Sequence, residues 1–197
     1  TNSTNCTGDG VAIAYRAGAY LKDMEFVQFH PTSLIGSNIL ITERARSAGA
    51  YLFNKNGERF MTKYAPSSLE LAPRDIVSRS IINEINDGFG LKDSKYDDYI
   101  ELSFTHLSDS VLNEKLSDVK DMAFSLLNID IKKTPLKIIP AQHYMMGGIL
   151  ININCETSIQ NLYSAGECSC LSVHGANRLG GNSLIECLVF GKIAGEQ

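Results

Sequence analysis

The chain has 197 residues, of which 44% are hydrophobic, and a formal net charge of -4. This length and composition predict a soluble globular protein whose core forms one large or two small domains. The acidic balance and the scattered Lys and Arg residues argue against nucleic-acid binding, and no stretch reaches the roughly 18 apolar residues of a membrane span.

The five cysteines are an odd number and lack Cys-x-x-Cys spacing. Neither a disulfide framework nor a zinc ribbon is therefore indicated, and a reducing compartment is the default. The chain begins at Thr1 in a polar run without Met and stops inside a predicted helix. We therefore expect it to be an internal fragment of a longer protein.

A Gly-rich turn at residues 7–10 precedes an Ala-rich helix over 11–19. In this turn, Asp9 can accept hydrogen bonds from backbone N–H groups or from a ribose hydroxyl, and a simple helix-capping role is the alternative. Residues 25–32 then alternate like a strand that Pro31 should end. His30 precedes this proline, so the extended backbone should fix the direction of its side chain.

A second apolar strand is predicted at residues 39–41, followed by Thr42, Glu43, Arg44 and Arg46. An exposed charge run is one interpretation of this segment, and it is the one we expect for Arg44. Residues 49–60 predict a β-hairpin, since Asn-Gly at 56–57 is a strong turn signal between apolar runs.

Apolar spacing predicts an amphipathic helix over residues 76–85, with Pro73 in its first turn. Arg74 then lies at a helix N-terminus, where the helix dipole disfavours a cation. Residues 99–104 predict a strand, and residues 109–128 predict one helix capped by Asp109 or Ser110.

Paired glycines at 147–148 predict a close turn with His143 at the tip of a loop, before a strand at 149–153. The two methionines beside this histidine are interpreted as core residues, and no metal site is predicted. A buried strand is predicted at 161–165, and Asn182 and Ser183 are expected to cap a final helix. The loop between them is rich in Gly, Asn, His and Arg. It could be a plain connector, or it could place backbone N–H groups and a helix N-terminus against an anion or an electron-rich ring.

The strings Gly166-Glu-Cys, His174-Gly-Ala-Asn-Arg-Leu-Gly and Asn182-Ser-Leu closely resemble the flavoprotein subunit of fumarate reductase and succinate dehydrogenase. The same family includes L-aspartate oxidase. The resemblance implies an α/β and α+β fold, in which residues 1–23 and 142–197 are parts of a Rossmann-like FAD-binding domain. Residues 24–141 would form an inserted capping domain, and the active site would lie in the cleft between the two domains.

The resemblance also implies an enzyme that interconverts fumarate and succinate by hydride transfer at FAD N5. His143 and Arg178 match the residues that hold one substrate carboxylate, and His30 and Thr42 match those that hold the other. The residues matched to catalysis are Arg74 as proton donor, Glu43 and Arg46 as its proton relay, and His30. The residues matched to FAD contacts are Asp9, Glu167, Asn182, Ser183 and Leu184. Taken together, this many cationic and polar donors favour a small anionic substrate, most simply a dicarboxylate.

The family's Gly-x-Gly-x-x-Gly fingerprint, and the histidine that links FAD covalently in many members, should lie upstream of Thr1. We therefore expect these 197 residues alone to bind FAD weakly or not at all. The implied partners are an iron–sulfur subunit and a membrane anchor, which would hold the soluble chain at the cytoplasmic face of a membrane. One alternative is L-aspartate oxidase, which is similar around Glu70-Leu-Ala-Pro-Arg and Ser183-Leu-Ile-Glu. Another is a non-catalytic capping and interaction module.

Overall fold

The computed structural model describes residues 1–197 and mixes helices with two open sheets, as the sequence predicts. The helices are α1 (Asp9–Arg16), α2 (Arg44–Ser47), α3 (Met61–Tyr64), α4 (Arg74–Glu84), α5 (Asp109–Lys115), α6 (Ser117–Leu127) and α7 (Asn182–Glu196). The strands are β1 (Leu21–Lys22), β2 (Val27–Leu34), β3 (Tyr51–Phe53), β4 (Ile100–Ser103), β5 (Leu136–Met145), β6 (Gly148–Leu150) and β7 (Ser169–Cys170). A short 3-10 turn (Leu69–Leu71) precedes α4, and a π-helical turn (Ile85–Phe89) follows it.

The chain divides into two compact units. The first comprises Phe29–Ala141 with Thr1, and the second comprises Asn2–Gln28 and Gln142–Gln197. The boundaries therefore fall inside β2 and inside β5. The assignment of a capping domain to residues 24–141, and of an FAD-binding domain to the flanking segments, stays a prediction.

The first unit is built on a four-stranded sheet in the order β2-β5-β4-β3. Strand β4 is antiparallel to both of its neighbours, and Leu102 lies opposite Leu52 on one side and Leu136 on the other. These three leucines are fully buried. Ile81 from α4 and Leu116 from the helical segment that follows β4 belong to the same apolar core, which holds the start of α4 in place.

The second unit has a three-stranded sheet in the order β1-β6-β7. Ile149 of β6 pairs with Leu21 in antiparallel register and with Ser169 in parallel register. The small core of this unit includes Ala14 of α1, a residue of the predicted Ala-rich helix. No helix of the chain combines enough length and apolar character to cross a membrane.

The predicted end of β2 at Pro31 is wrong, because the strand continues through this proline to Leu34. Strand β2 is at the edge of its sheet, where a residue without a backbone N–H can avoid a ladder position. The predicted strand at 39–41 is also wrong. Only Leu40 forms an isolated bridge, with Ser33, before the chain turns into α2.

The predicted hairpin at residues 49–60 is half right. The turn forms, with Gly57 at a φ of 74°, and Asn54 Oδ1 accepts hydrogen bonds from the N–H groups of Asn56 and Glu58. The residues after the turn are no partner strand, however, since β3 pairs with β4 instead. Phe60 and Met61 enter the core and begin α3.

The single helix predicted over residues 109–128 is two helices, α5 and α6, interrupted at Leu116. Leu116 has a φ of -131°, which breaks the helical hydrogen-bond ladder, and its side chain is fully buried. The cap is Ser108 rather than Asp109 or Ser110, because the Ser108 side chain accepts a hydrogen bond from Val111 N.

His143 lies within β5 and not at the tip of a loop. The two glycines that follow let other backbone segments pass close to the chain. A Cβ on Gly147 would lie 2.1 Å from the Asp23 carbonyl oxygen, and a Cβ on Gly148 would lie 2.5 Å from the Cys168 carbonyl oxygen. The predicted strand at 149–153 is shorter than expected and ends at Leu150.

The predicted strand at 161–165 is wrong, since Tyr163 forms only an isolated bridge, with Glu156. The strand is β7, which follows the turn at Gly166. The predicted cap of α7 is also wrong. Gly181 is the N-cap, with a φ of 85° that favours glycine, and Asn182 and Ser183 are the first two helical residues.

Candidate active site

In the first unit, Glu43 lies between two arginine side chains. Its Oε2 accepts hydrogen bonds from Arg74 Nη2 at 2.8 Å and from Arg74 Nε at 3.2 Å. Its Oε1 accepts from Arg46 Nη2 at 3.2 Å. Both arginines are buried, whereas the Glu43 side chain is 38% exposed. The structure therefore brings together the three residues that the sequence predicts as a proton donor and its relay.

Local backbone structure explains this geometry. Glu43 is the residue before α2, so Arg46 lies three positions on, one helical turn away. Arg74 is the first residue of α4, and Pro73 before it has an extended conformation with a ψ of 149°. The 3-10 turn before α4 fixes Arg46 as well, because Arg46 Nη1 donates to the Glu70 carbonyl oxygen at 2.5 Å.

Burial and neighbouring charges shift the pKa values in this cluster. Burial raises the pKa of Glu43, but hydrogen bonds and charge from Arg74 and Arg46 outweigh burial and leave that pKa below its ordinary value. Burial lowers the pKa of Arg46, and the nearby cation of Arg74 lowers it further, against the opposing effect of Glu43. A carboxylate that stays charged thus connects two buried guanidinium groups.

His30 and Thr42 are in the same unit and are linked through two other residues. His30 is buried, and its Nδ1 lies 3.3 Å from the N–H nitrogen of Thr32. Thr32 Oγ1 donates to the Ile41 carbonyl oxygen at 2.9 Å, which ties the histidine strand to the residue before Thr42. Thr42 Oγ1 accepts from Arg44 N at 3.3 Å and so also supports the start of α2. As expected, Arg44 is exposed, and it pairs with Asp118.

In the second unit, His143 Nε2 lies 3.4 Å from Arg178 Nη2, so these two predicted carboxylate-binding residues are neighbours. Arg178 is only 3% exposed. Gln28 Nε2 donates to the Arg178 carbonyl oxygen at 2.6 Å and to Asn177 Oδ1 at 2.9 Å. These contacts hold the loop before α7 against Gln28, which lies near the start of β2 and belongs to the second unit.

Sequence reasoning missed two residues of this cluster. The Arg178 guanidinium carbon lies 4.2 Å from the centre of the Tyr144 ring, and Tyr144 Oη donates to Glu186 Oε2 at 2.6 Å. Glu186 is 6% exposed in a helix whose apolar side chains are largely exposed. A single carboxylate inside the apolar run Leu184-Ile-Glu-Cys-Leu-Val was the available signal, since buried carboxylates need partners.

The residues predicted to contact FAD lie at two helix starts and in one loop of the second unit. Helix α1 begins after Gly8 and α7 begins after Gly181, and neither helix has a side-chain cap. Asp9 Oδ1 accepts from Thr7 Oγ1 at 2.9 Å, and Glu167 Oε1 accepts from Met145 N at 3.0 Å. Asn182, Ser183 and Leu184 form the first turn of α7. No group of three or more His, Cys, Asp or Glu side chains could hold a metal ion.

Comparison with known proteins identifies the family. The family described as FAD binding domain matches residues 1–184. The chain belongs to this FAD-binding family. It is 46% identical, over 99% of its length, to the succinate dehydrogenase flavoprotein subunit of Coxiella burnetii, and it covers 35% of that protein. It is 43% identical to the fumarate reductase flavoprotein subunit of Escherichia coli, with 100% of the chain and 34% of the relative covered.

The fold of this FAD-binding chain is also similar to solved structures. A mutant of the E. coli quinol fumarate reductase superposes with a TM-score of 0.95 at 42% identity, covering 100% of the chain and 35% of the solved one. A quinol–fumarate reductase with menaquinol molecules gives a TM-score of 0.94 at 43% identity, covering 100% and 36%. The chain thus spans about a third of the length of the relatives that it matches.

The residues of this family member fit an anionic dinucleotide cofactor. Neither α1 nor α7 has a side-chain cap, and the positive end of each helix dipole favours negative charge. In α7, the N–H groups of Asn182 and Leu184 donate to the carbonyl oxygens of Leu179 and Gly181, each at 3.3 Å. Gly8 and Gly181 have φ values of 76° and 85°, a backbone conformation that brings the chain into each helix without a bulky side chain.

Proposed function

We propose that this chain is part of a flavoprotein that interconverts fumarate and succinate, with Arg74 passing the proton to or from the substrate carbon. The observation that carries the proposal is the Glu43 carboxylate between Arg74 and Arg46, in a chain of the FAD-binding family. FAD, when bound, supplies the hydride.

An arginine is an unusual proton donor because its guanidinium normally stays protonated. Two features of this site oppose that tendency. Arg74 lies at the N-terminus of α4, where the helix dipole disfavours a cation, and the charge of Arg46 is nearby. The Glu43 carboxylate, 2.8 Å from Arg74 Nη2, stabilises the guanidinium cation instead. Once Arg74 has given its proton to the substrate, the partly exposed Glu43 takes up a proton from solvent and passes it to Arg74. Arg46, anchored on the Glu70 carbonyl oxygen, holds Glu43 in place and extends the relay.

The remaining polar residues are proposed to bind a four-carbon dicarboxylate. Arg178 and His143 are neighbouring donors that suit one carboxylate, because a guanidinium can bind it in a bidentate manner. His30 and Thr42 are proposed to contact the other carboxylate. Asp9, Glu167, Asn182, Ser183 and Leu184 are proposed to contact FAD, with the start of α7 favouring the negative charge of the reduced flavin.

The partners of the full-length protein are also proposals. The relatives named above are flavoprotein subunits, which supports an assembly with further subunits. We propose an iron–sulfur subunit as the electron-transfer partner and a membrane anchor beyond it. The flavoprotein would then be held at the cytoplasmic face of the membrane through these partners.

The test uses the full-length protein purified with its flavin and supplied with reduced viologen. Oxidation of the viologen that depends on added fumarate is the expected result. Peroxide formation that depends on L-aspartate would instead identify an L-aspartate oxidase. Inertness toward both substrates would indicate a non-catalytic module and overturn the proposal.

A further inference from the structure

A buried polar cluster in the second unit contacts Arg178 through Tyr144 and has no place in the reaction described above. Its members are Tyr144 at the end of β5, His174 in the Gly-rich loop and Glu186 one turn into α7. Tyr144 is 5% exposed, and the side chains of His174 and Glu186 are 9% and 5% exposed. A carboxylate this deeply buried is stabilised only by specific partners.

Glu186 has two such partners on one oxygen. Tyr144 Oη lies 2.6 Å from Glu186 Oε2, and His174 Nε2 lies 2.9 Å from the same atom. Because a carboxylate oxygen only accepts, the Tyr144 hydroxyl is the donor. Burial, followed by the hydrogen bond and charge of Glu186, raises the pKa of Tyr144, so the hydroxyl keeps its proton.

The tyrosine ring supports the guanidinium. The Arg178 guanidinium carbon lies 4.2 Å from the centre of the Tyr144 ring, within the range of a cation–π contact. The His174 ring meets the same tyrosine edge-on, with ring centres 5.9 Å apart. Tyr144 is therefore held by Glu186 at its hydroxyl and contacted by the His174 ring, and it presents one ring face to Arg178.

We propose that Glu186 and Tyr144 are positioning residues for Arg178. Glu186 fixes the tyrosine through its hydroxyl, and the fixed ring holds the guanidinium in the orientation that binds a substrate carboxylate. This inference rests on the proposed function, in which Arg178 binds that carboxylate. A loosely held arginine would lose rotamer freedom on each binding event, whereas a held one has already lost it.

The experiment compares Glu186→Gln and Tyr144→Phe in the full-length holoprotein. Glu186→Gln keeps the shape but weakens acceptance from Tyr144, and Tyr144→Phe removes only the hydroxyl. Matched controls are Glu156→Gln, on an exposed glutamate of the same unit, and Tyr20→Phe, on a tyrosine that is 67% exposed. The non-reacting dicarboxylate malonate serves as the binding probe and is followed by the change in flavin absorbance.

We expect Glu186→Gln to raise both the malonate Kd and the fumarate KM by about tenfold, as for loss of a hydrogen bond to a charged group. The kcat should change less, since carboxylate binding contributes similarly to ground state and transition state. Tyr144→Phe should act in the same direction with a smaller effect because the ring remains. If the two residues act through one contact, the double variant should have the same malonate Kd and fumarate KM as Glu186→Gln alone.

Flavin content and thermal unfolding separate positioning from folding. The inference would be overturned if the variants kept FAD and their unfolding midpoint temperature and bound malonate with the same Kd as the controls. A fall in kcat with unchanged KM, or a loss of FAD that fully accounts for weaker binding in both variants, would also overturn it. A wild-type protein that neither binds malonate nor reduces fumarate would overturn the proposed function and this inference with it, and that result is visible before any variant is made.

Discussion

Glu43 and Arg74 are joined by two hydrogen bonds to one carboxylate oxygen, at 2.8 Å from Nη2 and 3.2 Å from Nε. They are 31 positions apart in the chain, so the pairing depends on the packing of α4 near the start of α2. This contact orients the guanidinium and also gives it a neighbouring base. In the proposed mechanism, this one contact would both position the guanidinium and let Glu43 pass on a proton that it has taken up from solvent.

Replacing Arg74 with lysine should abolish most of the fumarate reductase activity of the full-length protein. An ammonium cannot reproduce two donors in one plane, and loss of a positioned acid lowers kcat by roughly 10²- to 10⁴-fold. Steady-state kinetics with reduced viologen measures the effect. Arg79→Lys is the control, because Arg79 is on the same helix and makes an exposed ion pair with Asp75. Activity within twofold of wild type in the Arg74 variant would rule out Arg74 as the donor.

Glu43→Gln should make stability less sensitive to acid. The pKa of Glu43 is lowered in the folded state from an ordinary value of 4.5, so its ion pairs stabilise the fold fully above that value. The stabilisation is then lost as pH falls through the folded pKa, below 4.5. Unfolding temperatures of wild type and variant, measured from neutral pH down to acid, should differ most near neutrality and converge in acid. A difference that is constant with pH would contradict this assignment.

Arg59→Gln should destabilise the first unit more than a comparable surface change. Arg59 donates two hydrogen bonds to the Glu70 carboxylate from Nε and one from Nη2, and Glu70 is only 3% exposed. Removing the cation leaves a buried carboxylate short of partners, which costs about 2–4 kcal/mol once the partial exposure of Arg59 is considered. Urea unfolding measures the loss. Arg44→Gln breaks an exposed pair with Asp118 and should cost less than about 1 kcal/mol, and equal losses in the two variants would contradict the buried-pair account.

Gly148→Ala should strongly destabilise the second unit. An added Cβ would lie 2.5 Å from the Cys168 carbonyl oxygen, where β6 and β7 pair, and backbone atoms cannot move aside as a side chain can. Gly191→Ala is the matched control, since the space around this α7 glycine is open and alanine favours a helix by about 1 kcal/mol. Thermal unfolding of both variants compares them. A Gly148 variant as stable as wild type would show that the strands can separate at that point.

Local sequence signals predicted the features that depend on neighbouring residues alone. The helix start near Arg74, the turn at Gly57 and the helix that became α7 follow from side-chain spacing and backbone preference within a few residues. The resemblance added the set of candidate site residues, of which Arg46 and Arg74 both contact Glu43 in the structure.

Only the tertiary structure decided which distant segments meet. A turn signal at Asn56-Gly57 says where the chain bends but not that β3 pairs with β4, about fifty positions on. Burial of Glu70 and Glu186 depends on partners 11 and 42 positions away, Arg59 and Tyr144. A carboxylate is buried only where folding has brought hydrogen-bond donors next to it. Here those donors come from other segments of the chain, and the local spacing of apolar residues does not indicate which segments they are.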